Sequence, residues 1–335
     1  MKRWAIAAGL VAAMLVFGFG VYRAAGFMRE ERAAVHKPTE VSAPSLPGAL
    51  YLVQSGAIYR FQKGSFKQIT SESGWMQPSA APNGQLVAVR RQANYSDLYL
   101  LTTEGTTAGQ LTHDASRTVE NNHWAFYPRF SPDGRTLFYD FDPKEYYATY
   151  RVDLAIFASP MNPGARAFKW TQPNDYTGGD VSPVPLRSGA LLYTKYSIDD
   201  RSEVHAQVWI QRRAGSQGIA LTAADLGCAQ PAVSPDETMI AMVCAKGSNQ
   251  TSDLVVAPFD ANALTIGAPA SVVSDKLLAS PAFSPDGKTI AFFAPVDAGG
   301  HFQLWTVAAS GKPEPKSITS KLAFDSTSAP VWVKE

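Results

Sequence analysis

Phe283-Ser284-Pro285-Asp286-Gly287-Lys288-Thr289 reads as a tight turn that runs straight into an apolar strand, Ile290 to Phe293. Asp caps such a turn, Gly supplies a positive φ, and Pro fixes φ where no ladder donor is needed. The peptide recurs. Phe130-Ser131-Pro132-Asp133-Gly134-Arg135-Thr136 and Val233-Ser234-Pro235-Asp236-Glu237-Thr238 are near copies, and Ala81-Pro82-Asn83-Gly84-Gln85 is a looser one. Each leads into a strand-like run. A second proline precedes each copy by four residues, and Pro78, Pro128, Pro231, Pro281 and Pro330 are spaced by 50, 103, 50 and 49. The long interval is two periods. It hides a degenerate copy, Gly179-Asp180-Val181-Ser182-Pro183 followed by Ala190-Leu191-Leu192-Tyr193-Thr194. Six copies of about four short strands each are the pattern of a six-bladed β-propeller, an all-β fold.

The period-two rule places four strands in each copy. In the last full copy they are Pro281–Phe283, Thr289–Ala294, Gln303–Val307 and Pro315–Ile318. Two pieces are incomplete. Ala49 to Ile69 reads as the outer strands of a blade, and Ser328 to Val333 as an inner strand with no blade after it. Joined, they make one blade from both chain ends and leave no open sheet edge in the ring.

The Pro-x-Phe-Ser-Pro-Asp-Gly-(Lys/Arg)-Thr-(Ile/Leu) signature resembles the TolB-like family of six-bladed propellers. The endings Gln68-Ile69-Thr70, Gln110-Leu111-Thr112, Ala220-Leu221-Thr222 and Ser317-Ile318-Thr319 are similar to that family's outer-strand motif. The resemblance covers residues 48–335. It implies the fold, a binding-platform role and a periplasmic setting. TolB itself carries an α/β domain ahead of its propeller; here residues 23–47 are too few for one, so the resemblance concerns the propeller alone.

Residues 1–22 read as a membrane helix and residues 23–47 as a linker. Met1-Lys2-Arg3 precedes Trp4 to Tyr22, a charge-free run of 19 residues. At about 1.5 Å per residue it spans roughly 28 Å, close to a bilayer's hydrocarbon thickness. A cleaved signal peptide has a shorter apolar core and a small-x-small site, of which Gly18-Phe19-Gly20 is a poor version, so length favours an uncleaved anchor. Orientation is argued both ways. Arg23, Arg29, Arg32 and Lys37 follow the segment, and a positive-inside count keeps the propeller in the cytoplasm. The basic head before an apolar run and the family resemblance favour a single pass through a bacterial inner membrane with the propeller in the periplasm.

Cys228 and Cys244 are the only cysteines and lie symmetrically about the turn near Asp236, which sets them opposite each other on paired strands. That spacing suits a disulfide, a bond of oxidising compartments. Two buried free thiols are the other reading.

Composition excludes several functions. The formal net charge is +1 with 18% charged residues, so nothing suggests nucleic acid. His36, His113, His123, His205 and His301 form no metal-ligand spacing, and no cofactor or metal is expected. No Gly-x-Ser-x-Gly elbow and no Gly-rich phosphate loop occurs, and no hydrolase domain follows Glu335, so no catalytic residue is expected. The pair Asp199-Asp200 reads as a solvated loop. The short turns make one propeller face compact. The opposite face carries the long loops with aromatics and polar neighbours, the makeup of binding hot spots. Trp75, His123, Trp124, Tyr127, Tyr146, Tyr147 and Tyr176 are the candidate partner contacts, with core capping the competing role for Phe126 and Tyr127. The function expected is a non-catalytic, membrane-anchored scaffold or accessory subunit that binds another protein of an envelope or membrane complex. The alternatives are a hydrolase or lactonase acting in the channel, and a receptor for a small ligand or glycan.

Overall fold

The computed structural model describes residues 46–71, 73–144, 153–162, 164–245, 251–312 and 314–334. Its strands form six antiparallel sheets, the blades. Blade 1 takes its inner strand, Val331–Val333, from the C-terminal end, followed by Ala49–Gln54, Ala57–Gln62 and Ser65–Gln68. Blade 2 is Trp75–Ala80, Leu86–Arg91, Ser96–Leu101 and Thr107–Gln110; blade 3 is Ala125–Phe130, Thr136–Phe141, Ala155–Pro160 and Phe168–Lys169. Blade 4 is Asp180–Pro185, Leu191–Ile198, Val204–Gln211 and Ile219–Ala220. In blade 5, Cys228–Val233, Met239–Ala245 and Ser252–Asp260 are followed by an outer strand in two parts, Thr265–Ile266 and Ala270–Lys276, both paired to the third strand. Blade 6 is Ala279–Phe283, Thr289–Pro295, Phe302–Ala308 and Lys316–Ser317.

The expected closure by the chain ends is present: Tyr51 pairs with Val331 and Ala49 with Val333. The core confirms it. One apolar cluster fills each junction between neighbouring blades, and the junction of blades 6 and 1 holds Phe293 and Leu304 against Leu50, Leu52 and Phe61. Trp332 is only partly buried there, so Val331 and the fully buried Ser328 anchor the closing segment more than the tryptophan does.

Two sequence motifs have clear physical jobs. In the turns, Ser131, Ser234 and Ser284 donate their hydroxyls to Asp133, Asp236 and Asp286 at 2.6, 2.5 and 2.6 Å. Each Asp also accepts the N–H two residues on, and each Ser oxygen accepts the N–H that opens the next strand. In the outer-strand motif, Thr70, Thr112, Thr222 and Thr319 accept the N–H of Ile58, Leu98, Val208 and Leu304 on the third strand, at 2.9 to 3.0 Å. Thr171 does the same for Ile156 in blade 3. Each Thr fills the ladder position where the short outer strand has ended.

The upstream prolines mark something the period did not reveal. Five inner strands carry a one-residue bulge, between Met76 and Ser79, Phe126 and Arg129, Val181 and Val184, Ala229 and Ala232, and Ala279 and Ala282. The residue before each proline, Gln77, Tyr127, Ser182, Gln230 or Ser280, has φ between 48° and 59°. A bulge leaves its extra N–H outside the ladder, and a buried N–H needs a partner. Neighbouring blades supply it around the ring. Gln77 Oε1 accepts from Tyr127, Asp140 Oδ2 from Ser182, Thr194 Oγ1 from Gln230, and Gln230 Oε1 from Ser280. Ser328 Oγ accepts from Gln77 at 2.8 Å, and Ser280 donates its hydroxyl to Ser326 O. The sequence is complementary. Where the bulge residue is Gln, the second strand has Val89 or Val243 at the facing position; beside Tyr127 and Ser182 that position holds Asp140 and Thr194, and beside Ser280 it holds Phe293, the next acceptor coming from Ser328 on the closing segment.

Cys228 and Cys244 face each other in register and form a disulfide between the first two strands of blade 5, inside the blade 4–5 core. Among the described residues no helix is long and apolar enough to cross a membrane. The expected anchor, Trp4 to Tyr22, and most of the linker lie outside the described residues.

Candidate functional site

The turn face is compact and chemically satisfied. Its Asp133, Asp236 and Asp286 carboxyls are held below the usual range, first by the serine hydroxyl they accept. Acids already engaged this way have little left for a ligand.

The loop face differs. Nine large apolar side chains are exposed among the described residues. Five of them, Val119, Tyr176, Leu226, Leu277 and Val296, sit on blade-to-blade links or a strand 2–3 loop of this face, and Ile198 and Val204 are the strand ends that flank the blade 4 loop there, making seven. The other two, Phe168 and Ile219, begin outer strands. Tyr176 is 74% exposed, and its backbone is fixed from below: Asp153 accepts the N–H groups of Tyr176, Thr177 and Gly178 at 2.9 to 3.0 Å. Trp124 is half-buried, stacked on Phe126 with centroids 5.7 Å apart, and carries the Arg91 guanidinium over its ring. His123 stacks on Phe141 and bonds Asp142 O through Nδ1 at 2.7 Å. Trp124 and His123 are therefore both half-buried rings held by stacking.

Two expected contacts stand elsewhere. Trp75 is 4% exposed and packs edge-on against Tyr99 in the core between blades 1 and 2. It opens the inner strand rather than lying on the link, so its ring is core. Tyr127 is the bulge residue of blade 3 and lines the central channel. Tyr146 and Tyr147 lie outside the described residues.

The channel was not read from the sequence as a chemical site. It forms a cavity of about 260 Å³ with polar groups from the bulges and with Arg129 on its wall. Behind that wall, Asp140 is fully buried, with one oxygen on the Ser182 N–H and the other without a partner. Burial, then the nearby Asp180, pushes its carboxyl well above the usual range. Asp180 is paired at 3.0 Å with Lys195, and burial still raises its carboxyl. Burial likewise raises the Tyr127 and Tyr196 hydroxyls. These residues are far apart in sequence and look like ordinary strand positions; only the bulge and the blade 3–4 junction bring them together.

One group among the described residues has the reach to hold a metal ion: Asp199, Glu203 and His205, at the tip of the blade 4 hairpin. Asp199 already accepts the Glu203 N–H at 2.9 Å and bonds His205 at 3.1 Å. It is a self-bonded exposed turn, remote from the channel lining.

No family model matches the chain. No curated protein matches it in sequence. Solved structures do match in fold. TolB from Acinetobacter baumannii superposes with a TM-score of 0.63 at 16% identity, over 89% of this chain and 68% of that one. The putative TolB from Agrobacterium tumefaciens gives 0.57 at 15% identity, over 85% and 94%. The chain has the TolB propeller fold. A gluconolactonase from Xanthomonas campestris gives 0.53 at 12% identity, over 86% and 90%, so the same architecture also houses an enzyme. At such identities the likeness fixes the fold, and function has to be argued from the site.

Proposed function

We propose that this protein is a non-catalytic interaction module whose loop face binds another protein of an envelope complex. The carrying observation is the distribution of exposed large apolar side chains, seven of nine on that face. Singly exposed apolar residues are ordinary on a protein surface, and it is their concentration on one face that marks a candidate interaction surface. Tyr176 and Trp124 are the anchors, being large, stiff and held by packing or by a backbone cradle. The likeness to TolB propellers supports a protein partner over a small substrate. The disulfide suits an oxidising compartment, which favours a periplasmic propeller tethered by residues 4–22. Purification of the full chain from membranes in mild detergent tests the reading. A stoichiometric protein that is lost from Tyr176→Ala and Trp124→Ala variants of unchanged melting temperature is the expected result. Retention of a small molecule in place of a protein would favour a receptor. Hydrolysis of a lactone or ester by the purified chain would favour an enzyme.

A further inference from the structure

We propose that the propeller channel contains a carboxylate-binding site centred on Arg129. Two residues beyond each of the five bulges, and at the matching place on the closing strand, the inner strands line the channel with one residue apiece. Around the ring these are Ser79, Arg129, Val184, Ala232, Ala282 and Val331, all lining the same cavity. Five are small, and their size leaves room for the sixth. A guanidinium offers five N–H donors in a planar fork. Arg129 uses one of them, from Nη1 to Pro78 O at a long 3.4 Å.

Its surroundings do not neutralise it at contact distance. Asp140 is the carboxylate that acts on it, but without a hydrogen bond or a close ion pair, and Asp140 spends one oxygen on the Ser182 N–H. Burial lowers the Arg129 pKa, and Asp140 and Tyr127 offset part of that. Lys195 at the blade 3–4 junction has by contrast a close anionic partner, with Asp180 at 3.0 Å and Gln172 O at 2.9 Å. A half-buried cation left with unused donors beside an open cavity is the arrangement that takes an anion bidentately. The rest of the wall is mixed: the polar bulge residues stand beside Phe130, Phe283, Trp332 and several prolines. The ligand that fits is a carboxylate on a compact body whose apolar part those rings and prolines can cover. The residue ending a polypeptide chain and a free aryl or alkyl acid both have that chemistry. This site concerns the channel and is independent of the loop-face reading.

The test uses the full chain in mild detergent and calorimetric titration with three probes: 3-phenylpropionate, N-acetyl-Ala-Phe with a free carboxylate, and the same dipeptide as its C-terminal amide. Saturable binding of an acid probe, with the amide at least about tenfold weaker, is expected. Arg129→Met should weaken the acid by about tenfold or more and Arg129→Lys by less, with loop-face partner capture unchanged. Tighter binding of the peptide acid assigns the source as a chain terminus, and tighter binding of phenylpropionate assigns a free acid. Equal binding of acid and amide, undiminished binding by Arg129→Met, or no binding of either acid up to about 10 mM overturns the site. Should Arg129→Met fail to fold, the acid-against-amide comparison on the unaltered protein still decides.

Discussion

At the scale of single residues, one buried and one half-buried polar side chain set measurable behaviour. Asp114 is 7% exposed, one of its oxygens has no partner, and burial raises its pKa to about 6. The unfolded chain releases that proton near the ordinary carboxylate value, so between roughly pH 4 and 6 the folded state holds more protons and stability falls as pH rises. Asp114→Asn should remove this falling limb. The variant should match the parent near pH 4 and exceed it near pH 7.5 by on the order of 1 kcal/mol, read from urea unfolding at the two pH values. Gln230 offers a second test. Gln230→Met keeps the volume and leaves the buried Ser280 N–H without its acceptor, at a cost of about 1–3 kcal/mol. Blade 4 solves the same problem with Thr194 at the position that Val243 holds in blade 5. Gln230→Met with Val243→Thr should then recover part of the loss. A double variant no more stable than the single one would show that the bulge acceptors are not interchangeable.

At the scale of elements, the turns, the four-strand period and the cysteine register were legible because each is local or repeats. The predicted strand Thr289–Ala294 is one residue short of Thr289–Pro295, and Gln303–Val307 is one residue short of Phe302–Ala308 at each end. The split outer strand of blade 5 was not legible, since its two short runs lack the Ile/Leu-Thr ending that marks blades 1, 2, 4 and 6. The bulges were hidden for a different reason. A residue at positive φ before proline leaves no mark beyond the proline itself, and its role appears only when a neighbouring blade reaches its N–H. The closing strand supplies the element-level prediction. Deleting Ser328 to Glu335 removes the pairing of Ala49–Tyr51 with Val331–Val333 and the Ser328 acceptor for Gln77 together. Loss of several kcal/mol, with a lower melting temperature for the whole cooperative transition, is expected. An unchanged melting temperature would mean that blade 1 stands on three strands.

At the scale of the whole molecule, the candidate face was legible as a contrast of loop length, but its members were only partly so. Tyr176 and Trp124 stand where the aromatic-loop argument put them; Trp75 lies one step inside the strand, where the same residue type becomes core. The channel chemistry escaped because Arg129, Asp140 and Lys195 belong to different strands of two blades. Two faces with opposite character make the functional claim directly testable. A photo-reactive amino acid placed at Tyr176, and separately at Asp286 on the turn face, can be irradiated in cells carrying the full chain. One discrete protein adduct is expected from position 176 and none from position 286. An adduct from position 286 with none from position 176 would contradict the claim.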